Sequence, residues 1–140
     1  MSGDSTFFDT NVLVYLFDRN AAAKQRRSQA LLADLMPSIV ISTQVLQEFY
    51  VTVTRKLSPA LSAEEAEQQV QNFSAFEVIA IDVPLIRTAI TLAREHTLSL
   101  WDALVVESAR ARGCSRVLTE DLQHGREFGL LRIENPFADL

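Results

Sequence analysis

Short apolar runs alternate with amphipathic stretches along most of this chain. Strands are predicted where β-branched and aromatic residues cluster between turn residues, and helices where apolar positions recur every three or four residues. The strands predicted in this way span residues 6–8, 39–41, 78–81, 116–118 and 131–133. The predicted helices span residues 12–17, 22–36, 43–57, 62–76, 82–96 and 100–112. Alternating strands and helices indicate an α/β fold, with a mainly parallel sheet flanked by helices in three α/β/α layers.

Several helix ends carry recognisable capping residues. Ser62 is followed three residues later by Glu65, which is the pattern of a capping box. Pro84 falls in the first turn after Asp82, where its missing N–H costs nothing. Gly113 follows the helix over 100–112 and is a normal C-terminal stop.

Length and composition limit the class of protein. The 140 residues contain no fixed-period repeat and no Gly/Ser linker, so we expect one domain over residues 1–140. Cys114 is the only cysteine, which excludes an intrachain disulfide and a zinc site built from cysteines. Asp4 stands where an export signal needs basic residues, and no stretch approaches the roughly 20 apolar residues of a membrane span. A cytoplasmic protein is therefore expected.

Four acidic residues fall at positions that the predicted topology makes neighbours. Asp9 directly follows the first strand, and Asp121 comes three residues after the strand over 116–118. Glu48 lies in the helix after the second strand, and Asp102 lies in the first turn of its helix. In a parallel α/β sheet, the strand carboxyl ends and the N-termini of the returning helices share one edge, where ligands bind. We therefore expect these four carboxylates to converge.

Converging carboxylates need a neutralising partner. Asp102 is predicted on an apolar helix face, and an unpaired buried carboxylate costs several kcal/mol. Oxygen ligands without His or Cys suit Mg²⁺ or Mn²⁺, which can activate a water and stabilise charge on a phosphodiester. His96 and His124 lack the spacing of a metal pair and are expected to be ordinary surface residues.

Each acid taken alone also has a simpler interpretation. Asp9 could be a helix N-cap, and Asp102 could be placed by the helix dipole. Glu48 could be a solvated helix position, and Asp121 a turn residue. The informative feature is their joint placement on one edge of the predicted sheet.

The same residues carry a family resemblance. The segments FDTNVLVYLF, STQVLQEFY, LSLWDALVVESARARG and VLTEDLQHG, in this order, resemble the PIN-domain ribonucleases. More narrowly, the chain resembles the VapC-type toxins of prokaryotic type II toxin–antitoxin pairs. The resemblance extends from Phe7 to Phe137, and it implies a single PIN-like domain.

The resemblance implies a site and a reaction. An acidic quartet would bind one or two Mg²⁺ or Mn²⁺ ions and catalyse hydrolysis of RNA phosphodiester bonds without a side-chain nucleophile. By the family pattern, Asp9 and Asp102 are the firmest metal ligands, and Glu48 and Asp121 complete the quartet. The matching polar positions, which support the acids or touch the scissile phosphate, are Thr10, Asn11 and Thr119. Gln123 stands where some family members carry a further Asp, and a substitute role for Glu120 stays open.

The resemblance also implies partners. A small cognate antitoxin would lie in an apolar groove, with the helices over 12–17, 43–57 and 62–76 as plausible walls. Pairing of two copies into a homodimer is expected as well. Neither partner can be identified from the residues of this chain.

The net charge of −5 argues against a protein that binds nucleic acid by overall charge. Outside the proposed quartet, however, the 14 remaining acidic residues nearly balance the 13 basic ones. RNA would then be held by local positive charge, and the densest cluster is Lys24, Arg26 and Arg27. A solvated helix face is the simpler interpretation of that cluster.

Two other functions remain open at this level. A phosphatase of the haloacid-dehalogenase type would use Asp9 as a nucleophile, but Asn11 stands where its general acid belongs. A degenerate PIN domain could instead be a non-catalytic scaffold that binds RNA or protein. The complete acidic quartet argues against that scaffold.

Overall fold

Strands and helices alternate along the computed structural model, which describes residues 5–140. Asp4 lies outside the described residues. The strands are β1 (Thr6–Phe8), β2 (Ile39–Ser42), β3 (Glu77–Ile79), β4 (Arg116–Leu118), β5 (Glu127–Phe128) and β6 (Leu131–Glu134). The helices are α1 (Thr10–Tyr15), α2 (Ala22–Leu35), α3 (Thr43–Arg55), α4 (Ala63–Phe73), α5 (Val83–His96) and α6 (Leu100–Arg112). A short 3₁₀ helix, Met36–Ser38, leads from α2 into β2.

The strands form one sheet in the order β3-β2-β1-β4-β6-β5. All neighbouring pairs are parallel except β5 with β6, so the α/β fold with a mainly parallel sheet is confirmed. The pattern did not predict β5, because two residues are too few to show an alternation. It pairs with β6 through a tight turn in which Gly129 has a positive φ of 64°.

Most helix ends lie within two or three residues of the predicted ones. The capping box is confirmed, since Glu65 N donates to Ser62 Oγ at 3.1 Å and Ser62 N donates to Glu65 Oε1 at 2.9 Å. Gly113 ends α6 in the left-handed conformation, with a φ of 77°. Helix α1 begins two residues earlier than predicted, at Thr10, because Asp9 caps it.

The central strands are buried on both faces. Phe7, Phe8 and the residues of β2 are almost inaccessible, and Val117 and Leu118 of β4 lie beside them. Helix α1 contacts α2 and α3, and α3 contacts α4, while α5 and α6 form a second pair in which α6 packs on β2 and β4. The single thiol, Cys114, is 5% exposed, and burial raises its pKa to about 11. That thiol is therefore a poor nucleophile.

The chain reverses its direction across the sheet between β1 and β4. The first three strands proceed from β1 toward one edge, and α5 and α6 then carry the chain back to β4 on the other side of β1. In open α/β sheets, the carboxyl ends of the two strands at such a switch point border the ligand-binding crevice. This geometry places the residues after Phe8 and Leu118 side by side. No helix within residues 5–140 is long and apolar enough to span a membrane.

Candidate functional site

Asp9 lies at the carboxyl end of β1 and is only 4% exposed. Its Oδ1 accepts a hydrogen bond from Thr10 N, and its Oδ2 accepts one from the Thr119 hydroxyl, each at 2.7 Å. Burial, with a smaller contribution from the charges of Asp121 and Glu48, raises the pKa of Asp9 to about 7 against the lowering effect of these two hydrogen bonds. The simple N-cap role is present, but a cap alone does not require such burial beside other carboxylates.

Asp121 lies in the segment that follows β4 and is exposed. Its backbone N–H donates to Thr119 Oγ1 at 3.1 Å. Its Oδ2 accepts from Asn11 Nδ2 at 3.1 Å, and the same amide lies 3.4 Å from Thr119 Oγ1. Thr119 and Asn11 therefore connect the carboxylate at the end of β1 with the one after β4.

Glu48 lies in α3 and is half-buried. Its Oε1 accepts from the Thr10 hydroxyl at 2.7 Å, and its Oε2 accepts from Gln44 Nε2 at 3.2 Å. Gln44 is 6% exposed and also donates to the backbone oxygen of Trp101 at 3.3 Å. The Gln44 amide thus links α3 to the first turn of α6, next to Asp102.

Asp102 lies in that first turn, and Ser99 caps the helix by accepting from Asp102 N at 3.0 Å. Its carboxylate is half-exposed, so the apolar face predicted from the sequence buries it only in part. Partial burial raises the pKa of Asp102, Ser99 lowers it, and the charges of Asp121 and Glu48 raise it again. Glu48 and Asp121 therefore lie close enough to both Asp9 and Asp102 for their charges to raise the pKa of each.

A divalent cation is the kind of partner that suits this group of carboxylates. Among the ion pairs of residues 5–140, none involves Asp9, Glu48, Asp102 or Asp121. Four carboxylates, two of which have their pKa raised by the charges of the other two, are a donor set suited to Mg²⁺ or Mn²⁺. As the side chains stand, no three His, Cys, Asp or Glu groups in the described part of the chain are close enough to hold an ion. Carboxylate oxygens of Asp9, Glu48 and Asp121 accept from protein donors, and each oxygen retains a further lone pair with which it can bind a cation after small movements of the side chains.

A cavity of about 620 Å³ opens beside the acids. Thr10, Asn11, Glu48 and Asp121 contribute the polar end of its wall. Apolar and charged side chains from α1 and α3 and the loops after them line the rest, among them Val14, Tyr15, Asp18, Val51, Lys56 and Leu57.

Two of the three residues in the predicted basic cluster form ion pairs with acidic side chains of this chain. Lys24 Nζ pairs with Glu120 Oε2 at 2.9 Å, and Arg27 Nη1 pairs with Asp139 Oδ1 at 3.1 Å. Arg26 is exposed and forms no ion pair within residues 5–140. RNA binding by Lys24, Arg26 and Arg27 stays a prediction, but two of the three cations already serve the fold.

Sequence reasoning missed two residues at the site. Gln44 gave a usable signal, because it precedes Glu48 by one helical turn and therefore shares its helix face. Trp101, which is 61% exposed beside Asp102, gave no signal beyond its neighbour. The histidines behave as predicted for ordinary residues: His96 contacts Arg126, and His124 Nδ1 accepts from Asn135 N at 2.9 Å.

The fold and the site together define a doubly wound α/β domain with a carboxylate cluster at its switch point. The family model of the PIN domain matches residues 6–126, and the chain therefore belongs to the PIN domain family. A search of curated proteins found no match.

Solved structures of toxins and their complexes share this fold. A chain of a toxin–antitoxin complex from Klebsiella pneumoniae is 21% identical, with a TM-score of 0.72 over 94% of this chain and 98% of that one. The sarcin–ricin loop cleaving toxin VapC20 of Mycobacterium tuberculosis is 20% identical, with a TM-score of 0.69 over 84% and 90%. A chain of the DNA-bound VapBC complex of Salmonella typhimurium is 21% identical, with a TM-score of 0.68 over 95% and 98%. At these identities the likeness concerns the fold.

Proposed function

We propose that this protein is a Mg²⁺- or Mn²⁺-dependent endoribonuclease and the toxin of a VapBC-type toxin–antitoxin pair. The observation that carries the proposal is the cluster of Asp9, Glu48, Asp102 and Asp121 at the switch point of a PIN domain. The solved structures of similar fold support it, since one is described as an RNA-cleaving toxin and others as toxin–antitoxin complexes.

The four acids would have different roles in binding the cation. Asp9 and Asp102 would bind it, and Glu48 and Asp121 would complete or orient its ligand shell. When bound, the cation supplies an activated water and neutralises charge that develops on the phosphodiester. The hydroxyls nearest these acids are already engaged, since Ser99 Oγ accepts from Asp102 N and the Thr10 and Thr119 hydroxyls donate to Glu48 and Asp9, which agrees with direct attack by water.

The polar residues around the acids restrict their orientation. The Thr119 hydroxyl binds Asp9, the Thr10 hydroxyl binds Glu48, and Asn11 binds Asp121. Each of these bonds removes rotational freedom from a carboxylate before the substrate arrives, which lowers the entropic cost of the reaction. The apolar wall formed by Val14, Val51 and Leu57 would exclude water from one side of the bound strand.

The proposal is tested by cleavage and by metal binding measured separately. RNA incubated with purified protein should be cut when Mn²⁺ or Mg²⁺ is present and left intact in EDTA, and the products should carry 5′-phosphate and 3′-hydroxyl ends. Calorimetry should detect Mn²⁺ binding without RNA. Absence of both cleavage and Mn²⁺ binding would contradict the proposal and favour the scaffold. Phosphoaspartate trapping on Asp9 would instead indicate the phosphatase.

The antitoxin would bind in a groove between α3 and α4. This groove of about 520 Å³ is lined mainly by apolar side chains, namely Leu46, Tyr50, Val51 and Val70, together with Gln47 and Glu67. Tyr50 and Val51 are 37% and 45% exposed. Apolar side chains left open on neighbouring helices can receive an amphipathic segment of a partner. Two of the predicted groove walls, α3 and α4, thus enclose an apolar groove, while α1 lines the cavity beside the acids.

Replacing Tyr50 with Asp should weaken binding of the cognate antitoxin by about 30-fold or more, because a central aromatic contact is worth roughly 2 kcal/mol or more. Copurification and calorimetry with the product of an adjacent antitoxin gene would measure the loss. Leu130→Asp is the matched control, since Leu130 is fully exposed at the β5–β6 turn. Equal antitoxin affinity in the two variants would exclude this groove. The homodimer stays a prediction that light scattering would test.

A further inference from the structure

Glu120 directly precedes Asp121, and its carboxylate binds two partners on other elements. Its Oε1 accepts a hydrogen bond from the Tyr15 hydroxyl, and its Oε2 accepts one from Lys24 Nζ at 2.9 Å. Lys24 Nζ also lies 3.2 Å from the Tyr15 hydroxyl oxygen, so each of the three groups contacts the other two. We refer to these residues as the Tyr15–Lys24–Glu120 cluster.

The cluster joins α1, α2 and the segment after β4. The Lys24 ammonium lies 4.9 Å from the centroid of the Tyr15 ring and 5.7 Å from that of Phe137. The two rings meet edge to face at 5.0 Å. The Lys24 and Glu120 side chains are 36% and 24% exposed, so this ion pair is partly shielded and has aromatic support that an ordinary surface pair lacks.

The cluster completes a set of three contacts that hold residues 119–121 against the start of the chain. Thr119 binds Asp9, Glu120 binds Tyr15, and Asp121 binds Asn11. Asn11 and Tyr15 are one turn apart on α1, so the last two contacts lie along one side of that helix. Removing the middle contact would leave Asp121 attached through exposed or part-buried polar contacts alone.

We infer that the Tyr15–Lys24–Glu120 cluster positions the Asp121 carboxylate relative to Asp9, and that its three members are positioning residues of the acidic site. This inference rests on the proposed ribonuclease function. It assigns Glu120 a role other than that of a fifth metal ligand, because its charge is already paired with the Lys24 ammonium, whereas none of the four acids forms an ion pair within residues 5–140. It also assigns Lys24 to the site rather than to RNA, because its ammonium is bound to Glu120.

A charge-neutral double variant separates these roles. Lys24→Met with Glu120→Leu removes the ion pair and leaves the net charge unchanged. The matched control, Arg112→Met with Glu77→Leu, removes the ion pair between the end of α6 and β3, also without a change in net charge. Partners that orient metal ligands typically contribute 10- to 100-fold in metal affinity or activity. The test double should therefore bind Mn²⁺ about 10-fold more weakly and show about 10-fold lower kcat, with KM for RNA and the salt dependence of RNA binding little changed.

A further measurement does not depend on cleavage. In the metal-free protein, amide hydrogens of residues 119–121 should exchange faster in the test double, while the control double should match the wild type. If the test double folds poorly, Glu120→Gln is the alternative, because it keeps a hydrogen-bond partner for Tyr15. In this variant Mn²⁺ affinity, kcat and amide exchange should change in the same directions by about threefold.

The outcomes are distinguishable. The inference is overturned if wild-type protein binds Mn²⁺ and cleaves RNA while both doubles retain wild-type kcat, Mn²⁺ affinity and amide exchange. It is also overturned if the loss falls only on KM and the salt slope, since Lys24 would then contact RNA. Failure of the proposed function would instead appear in the wild-type protein, which would neither bind Mn²⁺ nor cleave.

Discussion

Asp9→Asn is expected to reduce RNA cleavage by at least about 100-fold. The substitution keeps the size of the side chain and an oxygen that accepts from Thr10 N, while the amide nitrogen takes the place of Oδ2 and donates to Thr119 Oγ1 instead of accepting from it. It removes the negative charge that would bind the cation. A catalytic cation stabilises the charge that develops in the reaction by several kcal/mol, and losing about 3 kcal/mol of this stabilisation corresponds to a roughly 100-fold lower rate. Initial rates at saturating Mn²⁺ would measure the effect.

The comparison for this experiment is Asp34→Asn, which also removes one carboxylate but from an exposed position on α2. Its rate should equal that of the wild type, since a change of one surface charge alters RNA affinity only slightly at moderate salt. Equal rates for Asp9→Asn and Asp34→Asn would mean that Asp9 takes no part in the reaction.

The same Asp9→Asn variant is expected to be more stable than the wild type when no metal is present. Burial raises the pKa of Asp9 from 3.8 to about 7. Between these two pH values, the folded protein keeps a proton on Asp9 that the unfolded chain has released. Stability contributed by the protonated carboxyl is present below pH 3.8 and is lost as the pH rises to about 7. At pH 8, ionisation of the buried Asp9 carboxyl lowers the free energy of unfolding by at most about 4 kcal/mol. The uncharged Asn side chain of the variant avoids most of this loss.

Thermal melts in EDTA at pH 8 should show a midpoint about 5 °C or more higher for the variant, because each kcal/mol corresponds to roughly 2–4 °C at this size. The advantage should shrink as the pH is lowered toward 4, where both states protonate Asp9. Saturating Mn²⁺ should reverse the order, since ligand binding stabilises only the chain that binds it. A variant less stable than the wild type at pH 8 in EDTA would mean that the hydrogen bonds of Asp9 outweigh its burial.

Residues with strong local signals were predicted from the sequence. The strands around Phe7 and Val117 are continuous apolar runs, and the parallel sheet that they predict brings Asp9 and Asp121 to one edge. The same topology predicted Glu48 and Asp102 at this edge, and in the structure the charge of Glu48 raises the pKa of Asp102. These features depend on chain topology, which the order of strands and helices predicts, and on residue type, which is read directly from the sequence.

Features that depend on side-chain contacts between distant segments were not predicted. Glu120 could not be assigned, because its partners Tyr15 and Lys24 lie 105 and 96 residues away. Lys24 was interpreted as part of a basic surface, since its neighbours Arg26 and Arg27 are also basic, and nothing in that run indicates an acidic partner. Strand β5 was missed for a different reason: its two residues gain their conformation from pairing with β6 rather than from local preference.

The pairing of β1 with β4 also determines when the site can exist during synthesis. Asp9 and Thr119, whose side chains meet at this pairing, are separated by 110 residues, so Asp9 emerges early and remains without its partner until most of the chain has been made. Contacts of such long separation form late, because closing the intervening loop costs entropy before any packing compensates for it. A nascent chain therefore lacks the assembled acidic site until the segment after β4, with Thr119 and Asp121, has also been made.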